Sequence, residues 1–507
     1  MTKSDKKGKN IEILKDIVVI FFIFVICLSN IFGSTYSNLD EIWNFNFARN
    51  VSNGLVPYKD FNMVPTPLLS LICGGFFKIF GQELIVMRSL AVVFLTSIFF
   101  IVYKILKKVT NDEIALLGLM AFLLLFKDIL CIDYNYAVLL IALILVYIEI
   151  LQKDDCFLKY RFKYDFIIGI LAGVTILFKQ TTGLAVILAC IGYKIFKIRK
   201  KEEIKEFLKI AFTRLLGAII PIILFIIYLL INGAMNDFIS YAILGTTTFS
   251  NMILYKELFG QEIISWLALF LPITLIAMFI TMFMKNTSKE VYIFFAYGIS
   301  SSIVIYPISD KIHFCIGGLI SFIAMIYILF DFVYSDDMFS KWNRKIRVAL
   351  YGMFSFILMF ILLLNLFGAL KVFDNQYIKA TKEKELEHFI GIPENNGLKE
   401  RIFKINKYIE KQKELGKKVY VLDAEAAIYM IPFNRYNKNY DLFTKGNFGK
   451  AGEQGIIEEI KNNEKDTIYL IKKENRNWQT PNEVCNYVIK NLEYIGDISI
   501  FWCFENS

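Results

Sequence analysis

Asp40 and Glu41 stand side by side in the polar stretch Tyr36-Ser37-Asn38-Leu39-Asp40-Glu41-Ile42-Trp43-Asn44-Phe45, between two apolar runs. Neighbours on a helix project about 100° apart, so both carboxylates cannot face one small site equally. Either both complement the dipole of a helix N-terminus, or Asp40 faces a cavity as a base or metal ligand while Glu41 caps. Asp133, in Cys131-Ile132-Asp133-Tyr134-Asn135-Tyr136, is by itself an ordinary loop acid. It gains weight if the chain's topology places it on the same side of a membrane as Asp40. Two carboxylates at one membrane face can activate a hydroxyl or hold a divalent ion.

The cations fall at the ends of apolar runs. Lys179 and Gln180 end one run, and Asp310, Lys311 and His313 flank another. A Lys in such a place either snorkels to the membrane surface or, with the others, meets a lipid phosphate. His313 is one of only two His in the chain, and a lone His is usually a structural hydrogen-bonding group. Arg88, early in its run, is costly in an apolar setting and needs a partner. Asp60, Asp133 or the same phosphate would serve.

These residues need a membrane scaffold to position them, and the composition supplies one. The chain has 507 residues, 56% of them hydrophobic, with 48 Phe. Soluble proteins carry roughly 45–50% apolar residues even with Gly counted. Repeated apolar runs near the spanning length indicate a polytopic membrane protein. A net charge of +9 could suggest nucleic acid, but Lys and Arg lie in short clusters between apolar runs, as the positive-inside rule expects. The eight Cys have no metal-ligand spacing; Cys485 and Cys503, in the polar tail, are close enough in character to pair.

In order, a basic N-terminus (1–15) leads to an uncleaved first span (11–33), with the N-terminus cytoplasmic. An external loop (34–65) follows. Within it residues 40–53 read as a helix lying on the membrane, with Asn38 and Glu41 as a capping box and Gly54 as its stop. Ile42, Trp43, Phe45 and Phe47 would be its interfacial side. Residues 67–80 are too short to cross and read as interfacial or re-entrant, which keeps Lys104, Lys107 and Lys108 cytoplasmic. The remaining runs, 84–106, 114–126, 136–151, 165–178, 183–196, 210–231, 263–284, 291–306, 314–334 and 348–367, bring the expectation to about eleven spans. The loop near 232–262 has room for another interfacial helix, and residues 197–209 form the densest basic loop. At Lys371 the composition turns polar. Helices over 399–412 and 482–491, with strands at 419–422, 468–471 and 498–504, predict a small extracytoplasmic α/β domain, 371–507, after a membrane module, 1–370. It has no Gly-rich phosphate loop.

The order of these pieces resembles the GT-C membrane glycosyltransferases, such as the protein O-mannosyltransferases and aminoarabinose transferases. The resemblance is carried by Asp40-Glu41, then Gly54-Leu55-Val56-Pro57-Tyr58-Lys59-Asp60 and Pro65-Thr66-Pro67-Leu68-Leu69, Phe80-Gly81-Gln82-Glu83 before Met87-Arg88-Ser89-Leu90, and Phe178-Lys179-Gln180. It covers mainly residues 17–195. It implies a polyprenyl-phosphate-linked sugar donor, transfer at the outer face of the plasma membrane, and inversion at the anomeric carbon. It implies Asp40 as base, alone or shared with Glu41, with Asp133 as a second cavity acid and Tyr58 and Asp60 in the substrate cavity. Lys179, Gln180, Lys311, His313 and Arg88 are then donor-phosphate ligands, and a divalent metal, if used, would sit on Asp40 and Asp133. The acceptor would be a surface glycan, lipid or protein. Where aminoarabinose transferases carry Glu-Lys-Pro-Pro-Leu, this chain has Met63-Val64-Pro65-Thr66-Pro67, which points away from lipid A and towards a general surface-sugar transfer. A transporter or flippase, which would place charges in mid-span, and a surface-glycan polymerase or ligase are the competing readings.

Overall fold

The computed structural model describes the chain except for residues 1–2, 36–38, 153–160, 199, 249–252, 285–286, 336–343, 373–385, 394–396, 434, 436–439, 464, 474–479 and 507. Asn38, the expected cap, lies outside the described residues, as does most of the loop expected after residue 151. The chain divides into two units. The first holds residues 1–32, 89–224 and 252–371, and the second holds 33–88, 225–251 and 372–507.

The helices run α1 (Lys3–Phe32), α2 (Leu39–Ser52), α3 (Leu68–Phe80), α4 (Leu84–Val109), α5 (Asp112–Phe126), α6 (Tyr134–Leu151) and α7 (Phe162–Ile176). They continue as α8 (Gln180–Gly192), α9 (Lys201–Ile231), α10 (Met235–Phe238), α11 (Glu262–Thr281), α12 (Lys289–Ser302), α13 (Lys311–Ser335) and α14 (Arg344–Val372). Among the described residues six stretches are long and apolar enough to cross a membrane: Leu84–Val109, Tyr134–Leu151, Lys201–Ile231, Ile263–Thr281, Lys311–Phe332 and Tyr351–Lys371. The chain is a multi-pass membrane protein. Several of the eleven expected spans are shorter helices: α5 and α7 have 15 residues, α12 has 14 and α8 has 13. At 1.5 Å per residue these fall short of a hydrocarbon core of roughly 30 Å. The expected basic loop at 197–209 is largely helical, since α9 begins at Lys201.

In the first unit, α7 and α9 touch backbone to backbone. A Cβ at Gly169 would lie 2.1 Å from the Arg214 carbonyl oxygen, and one at Gly173 would lie 2.3 Å from that of Ala218. Small residues at such contacts let helices approach where lipid offers no hydrophobic drive. The approach seats the guanidinium of Arg214 between Glu149 and Asp165, 2.9 Å from the latter, with all three side chains nearly or wholly buried. Removing one member would leave a buried charge uncompensated. Large apolar side chains on α9, α11 and α14, among them Leu224, Trp266 and Phe356, stay exposed, as lipid-facing surfaces require.

In the second unit, residues 372–507 contribute a four-stranded sheet in the order β1-β2-β4-β3, with β1 (Lys418–Leu422), β2 (Thr467–Lys472), β3 (Glu493–Ile498) and β4 (Phe501–Asn506). β1 and β2 are parallel, and the β2–β4 and β3–β4 pairs are antiparallel. Helices Leu398–Glu414 and Asn482–Asn491 match expectation, and Gly416 ends the former with φ +80°. The strand expected at 498–504 is instead the turn and second arm of a hairpin; the alternation of apolar residues did not mark its polar first arm, Glu493–Ile498. Leu422, Phe443, Ile460, Tyr469, Val484 and Phe504 form the core of this part. Cys485 and Cys503 are both buried and form no disulfide with each other: Cys485 lies in this core from its helix, whereas Cys503, next to the core residue Phe504 on β4, faces the other side of the sheet.

Candidate active-site residues

In the second unit, α2 is the helix expected from the external loop, and Gly54 stops it with φ +87°. It does not lie with an apolar side exposed, however. Ile42, Phe45 and Phe47 are all buried. Phe45 meets Phe77 of α3 and Phe389. Gly74 of α3 admits the Ala48 carbonyl, which a Cβ there would meet at 2.9 Å. Two polar ties fix the other side: Trp43 Nε1 donates to the Ala424 carbonyl at 2.9 Å, and Asn46 donates to Asp441 at 3.2 Å. The helix is therefore a packed strut, and Asp40 sits half-buried in its first turn.

The capping box expected of Asn38 and Glu41 falls outside the described residues at Asn38, but Glu41 itself is placed. Its carboxylate accepts Arg88 Nε at 2.9 Å and Nη2 at 2.7 Å, a fork-on-fork pair of the strong bidentate kind. Arg88 also donates to the carbonyls of Ser34 and Thr35 at 2.7 and 3.1 Å. Its partner is thus Glu41 rather than Asp60 or Asp133, because the first turn of α4 meets the start of α2. With three acceptor groups around a side chain of 0% exposure, Arg88 ties Ser34 and Thr35 to Glu41 at the start of α2 in one corner. Asp60 accepts the Val56 amide at 2.7 Å, and Tyr58, at φ +69°, donates to the Pro65 carbonyl at 2.8 Å. Both hold the turn after α2, and Tyr58 is buried.

In the first unit, Asp133 precedes α6 and is buried. Asn135 donates to it at 2.7 Å, and Lys179 Nζ donates to Asn135 Oδ1 at 2.8 Å while lying 5.5 Å from the Tyr134 ring. Burial pushes the Asp133 carboxyl up, while Asn135 and the charges of Lys179 and His313 pull it down. Lys179 and His313 are therefore each within electrostatic reach of Asp133. The second Asp133 oxygen has no hydrogen-bond partner among the described residues. Gln180 is the first residue of α8, directly after Lys179. At the start of α13, His313 Nδ1 lies 2.8 Å from Asp310, and Lys311 pairs with Asp128 at 3.7 Å. Burial raises the Asp310 carboxyl, but its bonds to His313 outweigh that and hold it below the usual range. Asn135, the link between Asp133 and Lys179, was missed in the sequence; its place two residues after Asp133 was the available signal.

Beside this cluster the first unit has an apolar cavity of about 530 Å³, lined by Leu254, Tyr255, Pro272, Leu275, Ile305 and Tyr306 and reaching Ser309, the neighbour of Asp310. An almost wholly apolar lining suits a hydrocarbon ligand. Among the described residues no three His, Cys, Asp or Glu side chains gather as a metal site.

Residues 64–228, about a third of the chain, match a family described as dolichyl-phosphate-mannose-protein mannosyltransferase. In fold, the chain is similar to ArnT from Cupriavidus metallidurans bound to undecaprenyl phosphate. The TM-score is 0.56 at 10% identity, over 98% of each chain. The apo state of the same protein matches with a TM-score of 0.56 and 10% identity, over 99% of this chain and 98% of that one. No curated protein matches the chain in sequence.

Proposed function

From a chain that carries the GT-C membrane glycosyltransferase fold, we propose a glycosyltransferase that moves a sugar from a polyprenyl-phosphate donor to a surface glycan, lipid or protein. The observation that carries this reading is the apolar cavity ending at Ser309, with Asp310, Lys311 and His313 next in the chain and Asp133 within electrostatic reach of both His313 and Lys179. A prenyl tail wants an apolar groove, and its phosphate wants cations at the membrane surface. The family match and the undecaprenyl phosphate bound by the ArnT of similar fold support the same donor class.

In this reading Lys179, Lys311 and His313, with Gln180 beside them, hold the donor phosphate. Asp40 takes the proton from the acceptor hydroxyl. The freed oxygen attacks the anomeric carbon opposite the phosphate, the carbon–oxygen bond to phosphate breaks, and configuration inverts. The cations stabilise the negative charge that builds on the departing phosphate. Glu41, held by Arg88, positions the corner that presents Asp40 and is not a second base. Arg88, enclosed by its three acceptors, has the same positioning role and is not a phosphate ligand. The reaction is placed at the outer face of the plasma membrane, with the C-terminal part extracytoplasmic.

Asp40→Asn keeps the size of the side chain and removes the base. The purified variant should express and melt as the parent does while its transfer from a polyprenyl-phosphate sugar falls by at least about a hundredfold, the lower range for losing a general base. Undiminished transfer would remove Asp40 from the mechanism.

A further inference from the structure

Within the second unit, the carboxyl ends of the parallel strands β1 and β2 open onto a cavity of about 60 Å³. A bound water needs roughly 10–15 Å³ on that scale, so the space takes several hydroxyl-sized groups but not a whole oligosaccharide. Ligands of open α/β sheets bind outside the carboxyl ends of parallel strands, and this cavity stands there. None of its polar residues has a part in the reaction as derived so far.

We propose that this cavity, lined by Leu39, Asp423, Glu425, Phe443, Lys472 and Thr480, is the acceptor subsite and receives an uncharged, hydroxyl-bearing sugar end. The role rests on the transferase reading; the binding rests on the cavity alone. Asp423, nine-tenths buried, follows β1 directly. Lys472, the last residue of β2, reaches Asp423 and Glu425 at 3.3 Å each. Two carboxylates and one ammonium give the lining a net charge of −1. That repels a phosphate or carboxylate, whereas a sugar hydroxyl can donate to Asp423 and accept from Lys472. Thr480 adds a hydroxyl, and Leu39 and Phe443 offer apolar faces to the C–H side of a ring.

The location joins this cavity to the reacting end of α2. Leu39, a lining residue, is the neighbour of Asp40 in sequence. The Ala424 carbonyl, between Asp423 and Glu425, accepts the Trp43 indole N–H at 2.9 Å. The strand-end loop and the first turn of α2 are therefore latched together. A sugar end held in the cavity is held at a fixed distance from the turn that carries Asp40.

The test uses the full chain in lipid nanodiscs and saturation-transfer NMR with methyl β-glucopyranoside, and with glucose 6-phosphate as the anionic counterpart. The neutral glycoside should show transfer and the phosphate much less. Asp423→Asn and Thr480→Val should each weaken the glycoside signal about tenfold, a 1.4 kcal/mol change, while Asp40→Asn leaves it intact. Thr480, being only partly buried, keeps the test open should Asp423→Asn misfold. Full glycoside signal in Thr480→Val and folded Asp423→Asn, or a phosphate signal equal to the glycoside's, would overturn the assignment. If the chain binds the glycoside but transfers no sugar, the transferase reading fails and the cavity stands. If it transfers sugar and neither cavity variant changes the acceptor KM, the cavity assignment fails alone.

Discussion

Glu41 and Arg88 carry the most instructive single contact. Each is charged and each is buried, Arg88 at 0% exposure and Glu41 at 2%. Burying such a pair is tolerable only because all three guanidinium nitrogens donate, to both carboxylate oxygens and two backbone carbonyls. Truncating one partner strands the other. Arg88→Ala should therefore cost about 3–5 kcal/mol of stability, seen as a large drop in melting temperature in detergent, and Arg88→Lys should recover only part of it because Lys lacks the planar fork. A drop no larger than that of an exposed control such as Lys413→Ala would contradict this account. The need of Arg88 for an acid was legible in the sequence; which acid was not, because Asp60, Asp133 and Glu41 are equivalent until the chain is folded.

At the scale of elements, glycines decide how closely helices meet. Along α7, Gly169 and Gly173 face carbonyls of α9, and Gly217 of α9 returns the favour to Phe166. Backbone cannot yield as a flexible side chain can, so Gly169→Ala should destabilise the chain by about 1–3 kcal/mol or more through overpacking. Gly352 of α14 has nothing within 4 Å of its Cβ position, and Gly352→Ala should be neutral or slightly stabilising, since Ala loses less freedom in a helix. Equal melting temperatures for the two variants would count against the close α7–α9 contact. The short helices α5, α7, α8 and α12 were read from the sequence as full spans because an apolar run looks the same whether lipid or protein surrounds it. Only their packing partners and end points separate the two cases.

For the whole molecule, the donor reading makes a prediction that no single residue makes. A ligand that binds only the folded state raises stability by RT ln(1 + [L]/Kd). Undecaprenyl phosphate at about a hundredfold excess over its Kd should therefore add roughly 2.7 kcal/mol to the reconstituted chain, and undecaprenol, which fills the same groove without a phosphate, should add clearly less. Replacing Lys179 and Lys311 together by Gln should erase the difference between the two lipids without abolishing the effect of the alcohol. Equal shifts from phosphate and alcohol in the parent chain would remove the cation cluster from donor binding. The amino-acid sequence by itself determined that this is a multi-pass membrane chain with an α/β tail, because hydrocarbon length and charge clustering act on residues locally. It also determined the short helix after the first apolar run and its glycine stop, since both are local backbone preferences. Tertiary structure alone decided that Glu41 belongs to Arg88, that Asn135 links Asp133 to Lys179, that Cys485 and Cys503 stay apart, and that Asp423 meets Lys472 beside Leu39. Each of these is a contact between residues distant in the chain or chosen among chemical equals, and no local preference ranks such partners.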